Sequence, residues 1–295
     1  MKISPSRLKI EVSRLKSTYW PLIKSLQTTL LLTTGLAGFF SARCPVIHWS
    51  TLVGLTGSLF LSIGGSTILN MWYDRDIDEM MKRTCNRPLC SGRISPQETL
   101  RLGALLSILG VGWALALDGL YGAVVFAGLF FDVLIYTVWL KRRTAWSIVW
   151  GGVAGGMPAL AGRALGSAGI DWIGVTLSLA VLFWIPTHIL TFSMRYFEDY
   201  QRAGVPTFPA RYGFAATRAV IAVSSVLAGL AMGGAALGTG LTQGLLHLLG
   251  LLSGGLLALA VASLLRPSER VNFALFKYAS LYMLAAMLLI SLAAL

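Results

Sequence analysis

Residues 50–82 read STLVGLTGSLFLSIGGSTILNMWYDRDIDEMMK, an uncharged run that ends abruptly in a cluster of acids. No side chain from 50 to 73 carries a full charge. Roughly 20 apolar residues suffice to cross a bilayer as a helix, so this run predicts a membrane span. Asp74, Asp76, Asp78 and Glu79 follow at its end. A span closed by carboxylates is the pattern from which the rest of the chain is read.

Outward from this stretch the alternation repeats. The 295 residues are 56% hydrophobic and only 12% charged, where a soluble domain carries about a quarter charged residues. Apolar runs at about 20–42, 50–70, 99–117, 119–140, 145–165, 172–194, 214–237, 243–265 and 272–294 predict nine spans. The expected fold is all-α and polytopic, with the helices around a central apolar cavity and one transmembrane domain over 20–295. Residues 1–19 carry Lys2, Arg7, Lys9, Arg14 and Lys16, with Leu8, Val12 and Leu15 at helical spacing. They predict a basic amphipathic helix on the membrane surface, without a cleavable signal peptide.

All Lys and Arg but Arg43 and Arg163 lie in the N-terminal segment, in the loops after spans two, four, six and eight, or at the span ends beside them. The positive-inside rule then places the N-terminus in the cytoplasm and the C-terminus outside the cell membrane. The net charge of +12 is explained by these short loops. It does not point to nucleic acid, because no basic face with interleaved aromatics exists on a soluble domain. Cys44, Cys85 and Cys90 have neither disulfide nor zinc spacing and read as plain thiols.

Acids are not needed in positive loops, and they cluster in two of them. Asn70, Asp74 and Asp78 are spaced i, i+4, i+8, which on a helix keeps them on one face. Such oxygen ligands suit Mg²⁺, which takes one or two carboxylates together with substrate phosphates and water. Arg75, Lys82, Arg83 and Arg87 alongside would neutralise a diphosphate. Asp76 and Glu79 read as members of surface charge pairs. In the second loop, RYFEDYQRAGVPTFP, Glu198 and Asp199 are candidate metal-facing carboxylates and Arg195 a phosphate cation. The alternative is an i,i+4 pair between Arg195 and Asp199. Lys141, Arg142 and Arg143 after span four fit either a positive-inside cluster or a phosphate site.

Asn-x3-Asp-x3-Asp followed by RT…RPL…G resembles the UbiA superfamily of intramembrane prenyltransferases. Within it, DRDID…M…RT…RPL…G, DYQRAGVPTFP, YTVWLKRRT and SIVWGGVAGGMPALAG are similar to the heme-farnesylating branch. The resemblance covers about residues 20–215 and only loosely the last three spans. It implies that Asn70, Asp74 and Asp78 hold Mg²⁺ and a prenyl diphosphate, with Asp199 facing them across the bundle. It further implies diphosphate contacts from Lys141 and Arg142. Farnesyl diphosphate and heme b would be the substrates, and membrane enzymes of heme synthesis possible partners. The chain departs from that pattern at Lys24-Ser25-Leu26, Ser147, Ala159, Thr187 and Thr207-Phe208.

His188, in FWIPTHILTF, is a costly residue within a span. It fits either a packing role beside Pro186 or, from the resemblance, a place near the tetrapyrrole. His48 and His247 read as structural. Asp132, also within a span, implies a partner or a water-filled cavity, and the Tyr136 hydroxyl at i+4 is one candidate partner. Two rival functions remain. One is prenylation of an aromatic quinone precursor or a chlorophyll-type acceptor. The other is transport, against which stand the lack of an internal repeat and the placement of the acids at helix ends.

Overall fold

The structure, a computed structural model, describes residues 15–44 and 48–293. The surface helix expected over 1–19 therefore lies largely outside the described residues. The helices in chain order are α1 (Ser25–Phe40), α2 (Trp49–Tyr73), α3 (Arg75–Met80), α4 (Pro96–Leu117) and α5 (Gly119–Phe130). A π-helical segment (Phe131–Leu140) continues α5. There follow α6 (Ser147–Ser167), α7 (Trp172–Arg195), α8 (Phe197–Arg202), α9 (Phe208–Gly238), α10 (Gln243–Leu265) and α11 (Glu269–Leu292).

Each of the nine expected spans coincides with a helix among the described residues, but only 7 of these helices are long and apolar enough to cross a membrane. The shortfall has two causes. α1 has 16 residues, because the chain enters it through a tight turn (Trp20–Ile23) and a left-handed Lys24 at φ 43°. That conformation interrupts a helix for any residue with a Cβ. α6 is long enough, but its glycines and the buried Arg163 dilute its apolar character.

Those glycines serve contact instead. A methyl on Gly162 would overlap the carbonyl oxygen of Gly35, and one on Gly38 that of Ala159. α1 and α6 therefore cross with their backbones touching, as small residues allow in membranes. Consecutive helices pack side by side, and α11 returns to contact α1 and α7. At the end of α1 away from Lys24, the buried Arg163 donates to both oxygens of Asp171 and to the Ser41 carbonyl. Arg43 there donates to the carbonyls of Gly240 and Ala293, at 3.0 and 3.1 Å. These clips fix the far side of the bundle and leave the acidic end to function.

Candidate active site

α2 ends at Tyr73, α3 begins at Arg75, and Asp74 joins them at φ −89°, ψ 8°. Backbone bonds from the Asp74 amide to the Asn70 carbonyl (3.0 Å) and from the Asp78 amide to the Asp74 carbonyl (2.9 Å) run through the joint. The spacing of four residues per step is kept, and Asn70, Asp74 and Asp78 are all buried.

Buried carboxylates need partners, and the fold supplies them from distant segments. Lys141 Nζ donates to Asp74 Oδ2, and Arg87 Nη1 to Asp78 Oδ2. Arg142 donates two bonds of 2.6 Å to Asp76; this hydrogen-bonded guanidinium holds the Asp76 carboxyl below its ordinary range. Arg142 Nη2 also stands 3.7 Å from Asp74 Oδ1, a charge contact too long for a hydrogen bond. Asp74 Oδ1 is thus buried with no hydrogen-bond donor.

The π-helical segment sets this register. Ser66, Asn70 and Asp74 follow one another at four-residue steps along α2. Ser66 Oγ donates to Asp132 Oδ2, Asn70 Nδ2 donates to Thr137 Oγ1 at 2.7 Å, and Asp74 takes Lys141. The facing positions 132, 137 and 141 include a five-residue step. That step suits i→i+5 bonding, as in the 2.8 Å bond from the Lys141 amide to the Tyr136 carbonyl. The partner of Asp132 is therefore Ser66, and not the Tyr136 hydroxyl expected from i,i+4 spacing. Widened turns of this kind recur at functional sites.

The second acidic loop meets the first. Asp199, on α8, is buried and accepts the backbone amides of Lys82 (3.4 Å) and Arg83 (3.3 Å), just beyond Asp78. Its charged neighbour is Arg202 at 3.3 Å, so the i,i+4 pair with Arg195 does not form. Other residues turn elsewhere. Glu198 is exposed. Arg75 is exposed and donates to the Trp72 carbonyl. The Arg83 guanidinium lies over Phe192 and Tyr196. Arg195 faces α11, 3.7 Å from Glu269.

Lys24 stands near the site and carries no role in the sequence reading, where it is the matching first residue of a family motif that Ser25 and Leu26 depart from. It lies within electrostatic reach of Arg87, Lys141, Asp78 and Asp132. Lys24, Asp132 and Tyr136 are each partly exposed. At the acidic end a cleft of about 660 Å³ opens between Lys82, Arg83, Arg195, Tyr196 and Asp199. A larger groove of about 780 Å³ runs along α10 over Gly250, Gly254 and Gly255. Its lining is almost wholly apolar and none of the acids borders it, so it is not the site.

The UbiA prenyltransferase family matches residues 31–292. The chain belongs to this family. Among curated UbiA relatives, a protoheme IX farnesyltransferase of Korarchaeum cryptofilum is 40% identical over 75% of this chain and 74% of its own length. One of Pyrobaculum islandicum is 34% identical over 89% and 94%. A structure described for digeranylgeranylglyceryl phosphate synthase superposes with TM-score 0.78 at 20% identity, covering 96% of this chain and 99% of that one. A UbiA homologue from Archaeoglobus fulgidus, solved with GPP and Mg²⁺, gives 0.68 at 16% identity over 92% and 99%. Likeness at these identities concerns the fold. Membership of the UbiA family, with the apolar helices, makes this chain a multi-pass integral membrane prenyltransferase.

Among the described residues no three His, Cys, Asp or Glu side chains stand close enough together to hold a metal by themselves. The oxygen-only donor set nonetheless fits an open Mg²⁺ site, because that ion keeps water and substrate phosphate in its shell. The unpartnered Asp74 Oδ1 is the donor such an ion would take.

Proposed function

We propose that this UbiA member transfers the farnesyl group of farnesyl diphosphate to a vinyl group of protoheme IX, heme b, to give heme O. The observation that carries the acceptor assignment is the shared name of the curated relatives, protoheme IX farnesyltransferase, at about 40% identity over three quarters of the chain. The reaction breaks the bond between the farnesyl carbon and diphosphate and joins that carbon to the vinyl terminus. Water then adds to the adjacent carbon and releases a proton. No protein nucleophile is required.

Asn70, Asp74, Asp78 and Asp199 would hold Mg²⁺, which when bound acts as a Lewis acid on the leaving diphosphate. Lys141, Arg142, Arg87 and Lys24 would neutralise its oxygens, as preorganised cations do where charge develops. Lys141 and Arg87 pair with Asp74 and Asp78, so a diphosphate would compete with these acids for the same cations. An apolar space between the helices would keep water from the farnesyl cation until carbon–carbon bonding is complete. His188 would lie beside the acceptor. Its Nδ1 is 3.1 Å from Ser280 Oγ, which also stands 3.1 Å from the Phe276 carbonyl oxygen. The Lys and Arg distribution supports an active site on the cytoplasmic face.

Membranes containing this chain, supplied with heme b, farnesyl diphosphate and Mg²⁺, are expected to form a hydroxyethylfarnesyl heme detectable by mass spectrometry. A prenylated aromatic acid formed from a mixed acceptor pool, with heme b unchanged, would contradict the assignment.

A further inference from the structure

On the inner half of α7 and α11, aromatic rings form a continuous series. Trp184 stacks on His188 (4.9 Å, 23°) and His188 on Phe276 (4.6 Å, 25°). Phe276 meets Phe192 at 5.6 Å, and Phe192 meets Tyr196 at 4.6 Å. Phe273 lies parallel to Phe276 at 6.1 Å. Three cations close the series at its inner end. Arg195 sits 4.0 Å over Phe273, Lys277 4.5 Å from the same ring, and Arg83 4.8 Å over Phe192. None of them touches the acids of the first motif. Among the described residues no ion pair engages the Arg83 or Lys277 side chain, and Arg195 has only the exposed Glu269.

Cations left against aromatic faces, at the mouth of an apolar wall, suit an anion attached to a flat apolar body. We propose that Arg195 and Lys277, with Arg83 beside them, bind the carboxylates of the acceptor, and that the Phe276 and Phe192 rings face its conjugated plane. This rests on the tetrapyrrole reading above. Heme b fits the chemistry, since its two propionates leave one edge and its vinyl groups lie at the opposite edge. Anchoring the propionates at this wall turns the vinyl edge inward. It also leaves the acid charges at the aqueous boundary, where they cost least. Glu269, 3.7 Å from Arg195 and largely exposed, already places a carboxylate against this guanidinium, and a substrate propionate would displace it. Arg195 and Asp199 line the same cleft, so the acceptor subsite adjoins the second acidic motif without sharing its cations.

The test is a Soret titration of the protein in nanodiscs with heme b and with its dimethyl ester, repeated for Arg195→Gln, Lys277→Gln and the double variant. Wild type is expected to bind the free acid at least tenfold more tightly than the ester, and the double variant to bind the two alike. In turnover, the KM for heme b is expected to rise at least tenfold while that for farnesyl diphosphate moves less than twofold. Equal wild-type affinity for acid and ester, or discrimination retained in the double variant, would overturn the subsite alone. Absence of any heme binding by wild type would overturn the tetrapyrrole reading and the subsite with it.

Discussion

Asp74→Asn is expected to lower farnesyl transfer by about 10²- to 10³-fold, the range seen when one preorganised group is removed from a charge-stabilising site. The substitution is nearly isosteric and keeps a hydrogen-bonding partner for Lys141, so the joint between α2 and α3 should survive. What is lost is the charge on a side chain only 1% exposed, together with the metal affinity of its unpartnered Oδ1. Initial rates across a Mg²⁺ titration check this. The expected signature is a raised Mg²⁺ requirement as well as a lower maximal rate. An unchanged Mg²⁺ dependence would assign Asp74 to packing.

Lys141→Met has a different expected outcome, since it removes the cation and leaves Asp74 buried. Breaking one side of a buried ion pair costs about 3–5 kcal/mol, so the ligand-free protein should unfold at markedly lower temperature. Mg²⁺ alone should restore part of that loss by taking over the role of the ammonium. The diphosphate should bind less well, because Lys141 would be one of its cations. A variant with unchanged ligand-free stability would show that Lys141 and Asp74 do not pair in the membrane-embedded protein. Measuring both the melting temperature with and without Mg²⁺ and the farnesyl diphosphate KM separates the two effects.

Helix positions were legible because hydropathy is local, and 119–140, 243–265 and the end of α2 are read almost as they stand. The helical backbone through Asn70 and up to Asp78 was legible for the same reason, apart from the joint at Asp74. What could not be read depends on contacts distant in the chain. Ser66 as the partner of Asp132 follows from a π-helical segment that changes register against α2, and no local pattern in FFDVLIY announces it. The fate of Arg195 depends on α11 and that of Arg83 on α7. Lys24 is read only as the first residue of a motif that departs at Ser25 and Leu26, yet its left-handed backbone sets the entry to α1. A solitary lysine at the mouth of an apolar run was the available signal. α1 is shorter than the hydropathy run because that same backbone turn precedes it.

The central claim is that the acids of 74–78 and Asp199 grip one Mg²⁺–diphosphate from two sides. Its most direct test is a double-mutant cycle on binding of farnesyl thiodiphosphate in the presence of Mg²⁺, with Asp74→Asn, Asp199→Asn and both together. Groups that hold one ligand are coupled and do not add. The prediction is that each single variant loses most of the Mg²⁺-dependent affinity and the double variant loses little more. Strictly additive losses, or an Asp199→Asn protein that binds as wild type does, would contradict the claim.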